Sequence, residues 1–135
     1  MICRRAFAAG DLKLMTPIYF DGKDGTRLEA MKPNVTILFN GRVEVCGGLG
    51  MLLKGTAEGW IVIDQKPHKE SVLAAREQMD EWMRDYDLHR VQAVVREDFE
   101  AGARFLVDRM GMEYEGTLRC FYSPTISALL YARVR

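Results

Sequence analysis

The sequence predicts an α/β (α+β) fold, a mixed and mostly antiparallel central sheet with helices on both faces, and three observations carry that prediction. Two stretches, 67–87 and 99–110, repeat apolar residues at three- and four-residue steps, the period of one helix face. Short β-branched and apolar runs stand before and after each of them. Between two such runs, Asn40-Gly41 is the best two-residue hairpin signal in the chain. The predicted order is α-β-β-β-α-β-α-β-β.

Residues 11–31 are the least readable part, with a helical turn before Pro17, a loop at "DGKDG" and a short helix at 26–31. "VTILF" is a strand at 35–39, and "RVEVCGGLGMLL" returns from the Asn40-Gly41 turn. Within that return strand, Gly47-Gly48 predicts either a bulge or the close approach of another backbone. "KGTAEG" reads as a turn, and "WIVID", 60–64, as a central strand. The longest helix follows, presenting Val72, Ala75, Met79, Trp82, Met83 and Tyr86 on one face, with Pro67 in its first turn and Glu70 complementing its dipole. "RVQAVV" is a strand at 90–95. The next helix carries Phe99, Ala103, Leu106, Val107 and Met110 and stops on Gly111, where a left-handed residue is needed. Alternation from Met112 to Arg119 predicts a strand with one covered face, and "SALLYARV" gives the last strand.

At 135 residues the chain has room for one domain with a proper core, so a single domain over 1–135 is expected, its first 33 residues abbreviated. Nineteen basic side chains balance nineteen acidic ones, which argues against general nucleic-acid binding, a task that needs surplus Lys and Arg. No apolar run approaches a bilayer span and the N-terminus lacks a signal-peptide core, so no membrane partner and a cytoplasmic location are expected. Cys3, Cys46 and Cys120 are far apart and His68 and His89 share no ligand spacing with them, so neither a metal site nor a disulfide framework is expected. Cys46 and Cys120 fall in strand-like runs and read as buried, inert thiols.

Several of these stretches resemble, in order, motifs of the Gcn5-related N-acetyltransferase (GNAT) superfamily. "FEAGARFLVDRMGMEYEGTLR" is similar to the family's penultimate helix ending before a glycine, followed by a strand of the form "xxEGxLR". "LFNGRVEVCGGLGM" resembles its preceding hairpin, "dGrvvGfigl", and "EGWIVID" the strand that contacts the cofactor. "LLYARV" is similar to its last strand.

The resemblance implies transfer of an acetyl group from acetyl-CoA to a small-molecule or peptide amine, by direct attack in a ternary complex. It implies cofactor contacts at Ile61, Val62, Ile63, Asp64, Lys66, His68, Lys69 and Ser71, with a backbone N–H among 61–64 as oxyanion donor. Asp64 and His68 are the catalytic candidates, Asp64 as a base acting through water and His68 as a base at neutral pH; Glu58 is a further carboxylate in range of that role. A homodimer is compatible with this reading.

Two departures bear on function. The family's glycine-rich phosphate loop is replaced by "DQKPHKESV", which has no glycine to supply an amide nest, so Lys66, His68 and Lys69 and the amides that open the long helix are left to attract a diphosphate. Val107 stands where many members carry an acid-catalytic tyrosine, and Glu100 where an asparagine is common. A glycine-free loop and short N-terminal region also resemble GNAT-like proteins of tailed phages, including the small internal virion protein type. The alternative reading is therefore a catalytically inactive GNAT-fold binding or structural protein, phage or prophage encoded.

Overall fold

A computed structural model describes residues 1–17 and 25–135. Its strands are β1 (Ile2–Arg5), β2 (Asn34–Phe39), β3 (Arg42–Leu53), β4 (Thr56–Ile63), β5 (Arg90–Arg96), β6 (Glu113–Ser123) and β7 (Ile126–Val134). The helices are α1 (Gly25–Ala30), α2 (Lys69–Asp85) and α3 (Glu100–Asp108), and a 3₁₀ turn covers Ala9–Leu14 before Pro17. Hydrogen-bonded neighbours run in the order β1-β2-β3-β4-β5-β7-β6, with β4 and β5 parallel and the sheet otherwise mostly antiparallel. Thus the predicted mixed sheet is present. Apart from Gly25, which opens α1, the loop expected at "DGKDG" lies outside the described residues. Among the described residues no helix is long and apolar enough to cross a membrane.

The chain divides into two compact units, Met1–Gly50 with Gly59–Trp82, and Met51–Glu58 with Met83–Arg135. In the first, α2 covers one sheet face: Ala74 and Ala75 pack with Val35, Ile37 and Val45, joined by Ile61, Ile63 and Trp82. The 3₁₀ turn and α1 cover the other, where Phe7, Met15 and Leu28 meet Val43, Cys46, Trp60 and Val62. Val43 and Val45 lie on opposite faces although strand alternation would put them on the same one. The cause is a bulge. Ile37 pairs with Val45 while Leu38 pairs with Val43, so Glu44 is an extra residue without a partner on β2.

That bulge corrects the reading of Gly47-Gly48. Both glycines sit in regular register, opposite Val35 and Asn34, and their reason is the second alternative, close approach. A Cβ on Gly48 would lie 2.9 Å from the Pro33 carbonyl oxygen and 2.6 Å from Trp60 Nε1. Asn40 and Gly41, by contrast, both have positive φ, 49° and 81°, as the predicted hairpin turn requires.

In the second unit, Val91, Ala93 and Val95 of β5 are buried, as are Ala128, Tyr131 and Ala132 of β7 and Leu106, Met110 and Met112 around the end of α3. Gly111 has φ 69°, and Met112 N–H donates to Leu106 O at 2.9 Å, closing α3 as predicted. Val107, expected on the packed face, is 45% exposed, because the stripe that reaches the sheet narrows to Leu106 and Met110.

Other expectations are corrected. β1 was not predicted: its four residues "ICRR" pair with β2, and Arg4 reaches Glu77 and Glu81 on α2. β4 begins at Thr56 rather than Trp60, since the turn needs only Lys54 and Gly55, the latter at φ 82°. Asp64 lies beyond the strand, bridged to Pro17. α2 starts at Lys69, so Pro67 stands outside its first turn, and Tyr86, past the helix end, is 49% exposed.

Cys120 is exposed, not buried. It sits with φ 55° where Leu118 pairs with Ala128 and Ser123 with Ile126, an irregularity that arches residues 119–122 away from the ladder. Cys46 is fully buried, and burial pushes its thiol pKa up to about 11. Native protein should therefore react at Cys3 and Cys120 with a thiol reagent at pH 8, and at Cys46 only after unfolding. Intact-mass counting of labels checks this, and a third label on native protein would contradict it.

Candidate functional site

The residues singled out between Ile61 and Ser71 lie in the first unit, at the end of β4 and the start of α2. Antiparallel strand geometry decides which β4 amides are already used. Asp64 N–H donates to Glu44 O at 2.9 Å, so the amides on the same side of the chain, at Val62 and Trp60, also face β3. Those of Ile61 and Ile63 point away from it. The parallel ladder joining β4 to β5 spans 56–58 and 90–92, before either residue. Two backbone donors of an extended segment are thus turned away from β3 beyond the end of the β4–β5 ladder.

Asp64 has both carboxylate oxygens engaged. It is 2% exposed; Oδ1 accepts from Thr16 N–H at 2.8 Å, and Oδ2 is paired with Arg42. Gln65 N–H donates to Thr16 O at 2.9 Å, so the N-terminal segment and the end of β4 are tied together. Lys66 and Lys69 are exposed and leave their ammonium groups in solvent.

The centre of the site is a residue that sequence reasoning passed over. Glu44, re-aimed by the bulge towards α2, has no exposed surface. Its Oε1 accepts from His68 N–H at 2.9 Å and from the Ser71 hydroxyl at 2.8 Å, and its Oε2 lies 2.8 Å from His68 Nδ1. Burial pushes the Glu44 carboxyl up, but the His68 amide, the Ser71 hydroxyl and the His68 ring outweigh it and hold the group below its ordinary range. Facing a carboxylate, Nδ1 is the donor, and the uncharged form of the ring then presents Nε2 as an acceptor. The ring stacks on Phe39 with centroids 3.8 Å apart, fixing its plane.

The opening turn of α2 is otherwise only partly used. Ser71 N–H and Val72 N–H both donate to His68 O, at 3.0 and 3.3 Å. Among the described residues nothing accepts the amides of Lys69 and Glu70, both exposed residues. Ser71 is buried and committed to Glu44, so its hydroxyl is turned inward. The signal for Glu44 was present in the sequence, as a carboxylate inside the apolar run "VEVC".

No protein-family model matches the chain, and no curated protein matches it by sequence. Solved structures do match it. Ard1 from Thermoplasma volcanium superposes with a TM-score of 0.76 at 18% identity, over 98% of this chain and 97% of its own. The Salmonella typhimurium protein yncA, solved with its cofactor acetyl-CoA, gives 0.72 at 12% identity over 98% and 93%. The ribosomal-protein-S18-alanine N-acetyltransferase of Escherichia coli gives 0.70 at 14% identity over 99% and 94%. Near-complete coverage from both sides, with the order of elements from β2 to β7 that the sequence motifs implied, leads to one conclusion: the chain has the GNAT fold.

Proposed function

We propose that this protein is an N-acetyltransferase that moves the acetyl group of acetyl-CoA to a small-molecule or peptide amine by direct attack in a ternary complex. The observation that carries the reading is the pair of β4 amides, at Ile61 and Ile63, turned away from β3 just before the open start of α2. In this arrangement the acyl-carrying arm extends along β4. One of the two amides donates to the thioester carbonyl as negative charge develops on its oxygen. The diphosphate lies towards the Lys69 and Glu70 amides, with Lys66 and Lys69 supplying charge.

Of the two acid–base candidates, His68 keeps an uncommitted basic atom, Nε2, whereas both oxygens of Asp64 are engaged. We therefore assign proton uptake from the amine, through water, to His68, and to Asp64 the holding of the β4 end. Transfer from isotopically labelled acetyl-CoA to a panel of polyamines and peptide N-termini, read by mass spectrometry, is the test. His68→Gln should lower kcat about 100-fold while leaving the KM for acetyl-CoA within about threefold. No transfer to any acceptor, with acetyl-CoA bound, would favour the inactive GNAT-fold protein instead. Glu44, an anion standing where an incoming diphosphate would find helix amides, is the observation that favours that second reading.

A further inference from the structure

We infer that Glu44 is a built-in competitor for the anion site at the start of α2, so that the chain holds its own carboxylate where a diphosphate would otherwise take full benefit of the helix terminus. The inference rests on the acetyl-CoA reading for its ligand and on geometry for its mechanism. Three donors converge on the one carboxylate: the His68 amide, which is the first orphan N–H of α2, the Ser71 hydroxyl in the same turn, and the imidazole Nδ1–H. They are the kinds of donor that receive phosphate oxygens at helix starts.

Because Glu44 is wholly buried, its charge is little screened by water, and it offsets the roughly half-unit positive charge of the helix end. An arriving diphosphate meets a terminus whose dipole is already neutralised, and it must use what remains: the Lys69 and Glu70 amides and the exposed Lys66 and Lys69 side chains. The bulge makes the competition a property of the fold. Without the extra residue the register of β3 would carry through unbroken, and the side chain would not be re-aimed at α2. The missing glycine loop and the internal carboxylate are then two parts of one arrangement, in which a flexible amide nest has been replaced by a fixed acid.

Titration calorimetry of the full chain with acetyl-CoA, and separately with inorganic pyrophosphate, tests this on wild type, Glu44→Gln and Glu44→Val. Glutamine keeps an oxygen for the His68 amide and Ser71 hydroxyl but removes the charge. Valine, matching its neighbours Val43 and Val45, removes the group altogether and serves if the glutamine variant folds poorly. Both neutral variants should bind both ligands about tenfold more tightly than wild type. Unchanged or weaker binding of both ligands overturns the inference, and if wild type still binds acetyl-CoA the enzyme reading survives it. Pyrophosphate gained without any acetyl-CoA binding upholds the competitor and sinks the acetyl-CoA reading. No binding of either ligand to any variant overturns both.

Discussion

Asp11→Ala should lower the folding stability of this protein by about 3 kcal/mol. Asp11 is 5% exposed and collects four donors: Arg5 Nη1 and Nη2 at 2.7 and 2.8 Å, Ala8 N–H at 3.0 Å and Thr36 Oγ1 at 2.7 Å. It therefore joins β1, the 3₁₀ turn and β2 at one point. Alanine would remove the acceptor of the Ala8 amide and of the Thr36 hydroxyl, the latter fully buried. Arg5 is partly exposed and would recover water, which keeps the cost from rising further.

The same residue sets an acid limit. Burial pushes the Asp11 carboxyl up, but the Arg5, Ala8 and Thr36 donors outweigh it and hold its pKa at about 2 against an ordinary 3.8. A carboxyl depressed in the folded state adds stability that is complete above the unfolded value and lost as pH falls from about 4 through about 2. Urea denaturation at pH 7 and at pH 3 should show the difference between wild type and Asp11→Ala shrinking at the lower pH. An equal difference at both would mean that the ion pair with Arg5 is not what Asp11 contributes.

Gly48→Ala is the second large effect, with an expected loss of about 2 to 3 kcal/mol. The new methyl carbon would stand 2.6 Å from Trp60 Nε1, 2.9 Å from Pro33 O and 3.0 Å from Asn34 Cβ. None of these neighbours yields easily. Pro33 O accepts from Leu49 N–H at 2.9 Å, and the Asn34 amide group donates to Glu29 O and Met31 O while accepting from Phe7 N–H. Trp60 is 6% exposed and packed edge-on against Phe7 with ring centroids 5.0 Å apart. Since the indole is the reporter closest to the change, both the urea midpoint and the native tryptophan fluorescence should shift. A midpoint within experimental error of wild type would show that β3 and β4 have room at Gly48.

Features set by short-range rules were legible in the sequence. Asn40-Gly41 and Gly111 have the positive φ their positions imply, and the apolar period of α2 placed Ala75, Met79 and Met83 in the interior. Strand limits were less legible. The polar start of β4, Thr56 to Gly59, looks like turn material because its partner, β5, lies more than thirty residues further on. The site was legible as a region and not as a set of contacts. Lys66, His68, Lys69 and Ser71 do cluster at the start of α2, yet the group that organises His68 and Ser71 is Glu44, 24 and 27 residues away. A buried acid in an apolar strand announces that a partner exists; only the bulge and the crossing of α2 determine which one.

In the proposed complex acetyl-CoA lies along β4 with its diphosphate at the start of α2. Amide chemical-shift mapping of ¹⁵N-labelled wild-type protein, titrated with acetyl-CoA to millimolar concentration at low salt, addresses it residue by residue. The account predicts saturable shifts at Ile61, Ile63, Lys69 and Glu70, with the His68 amide little moved while Glu44 holds it. Saturable shifts confined to other parts of the chain, or none at all, would contradict it.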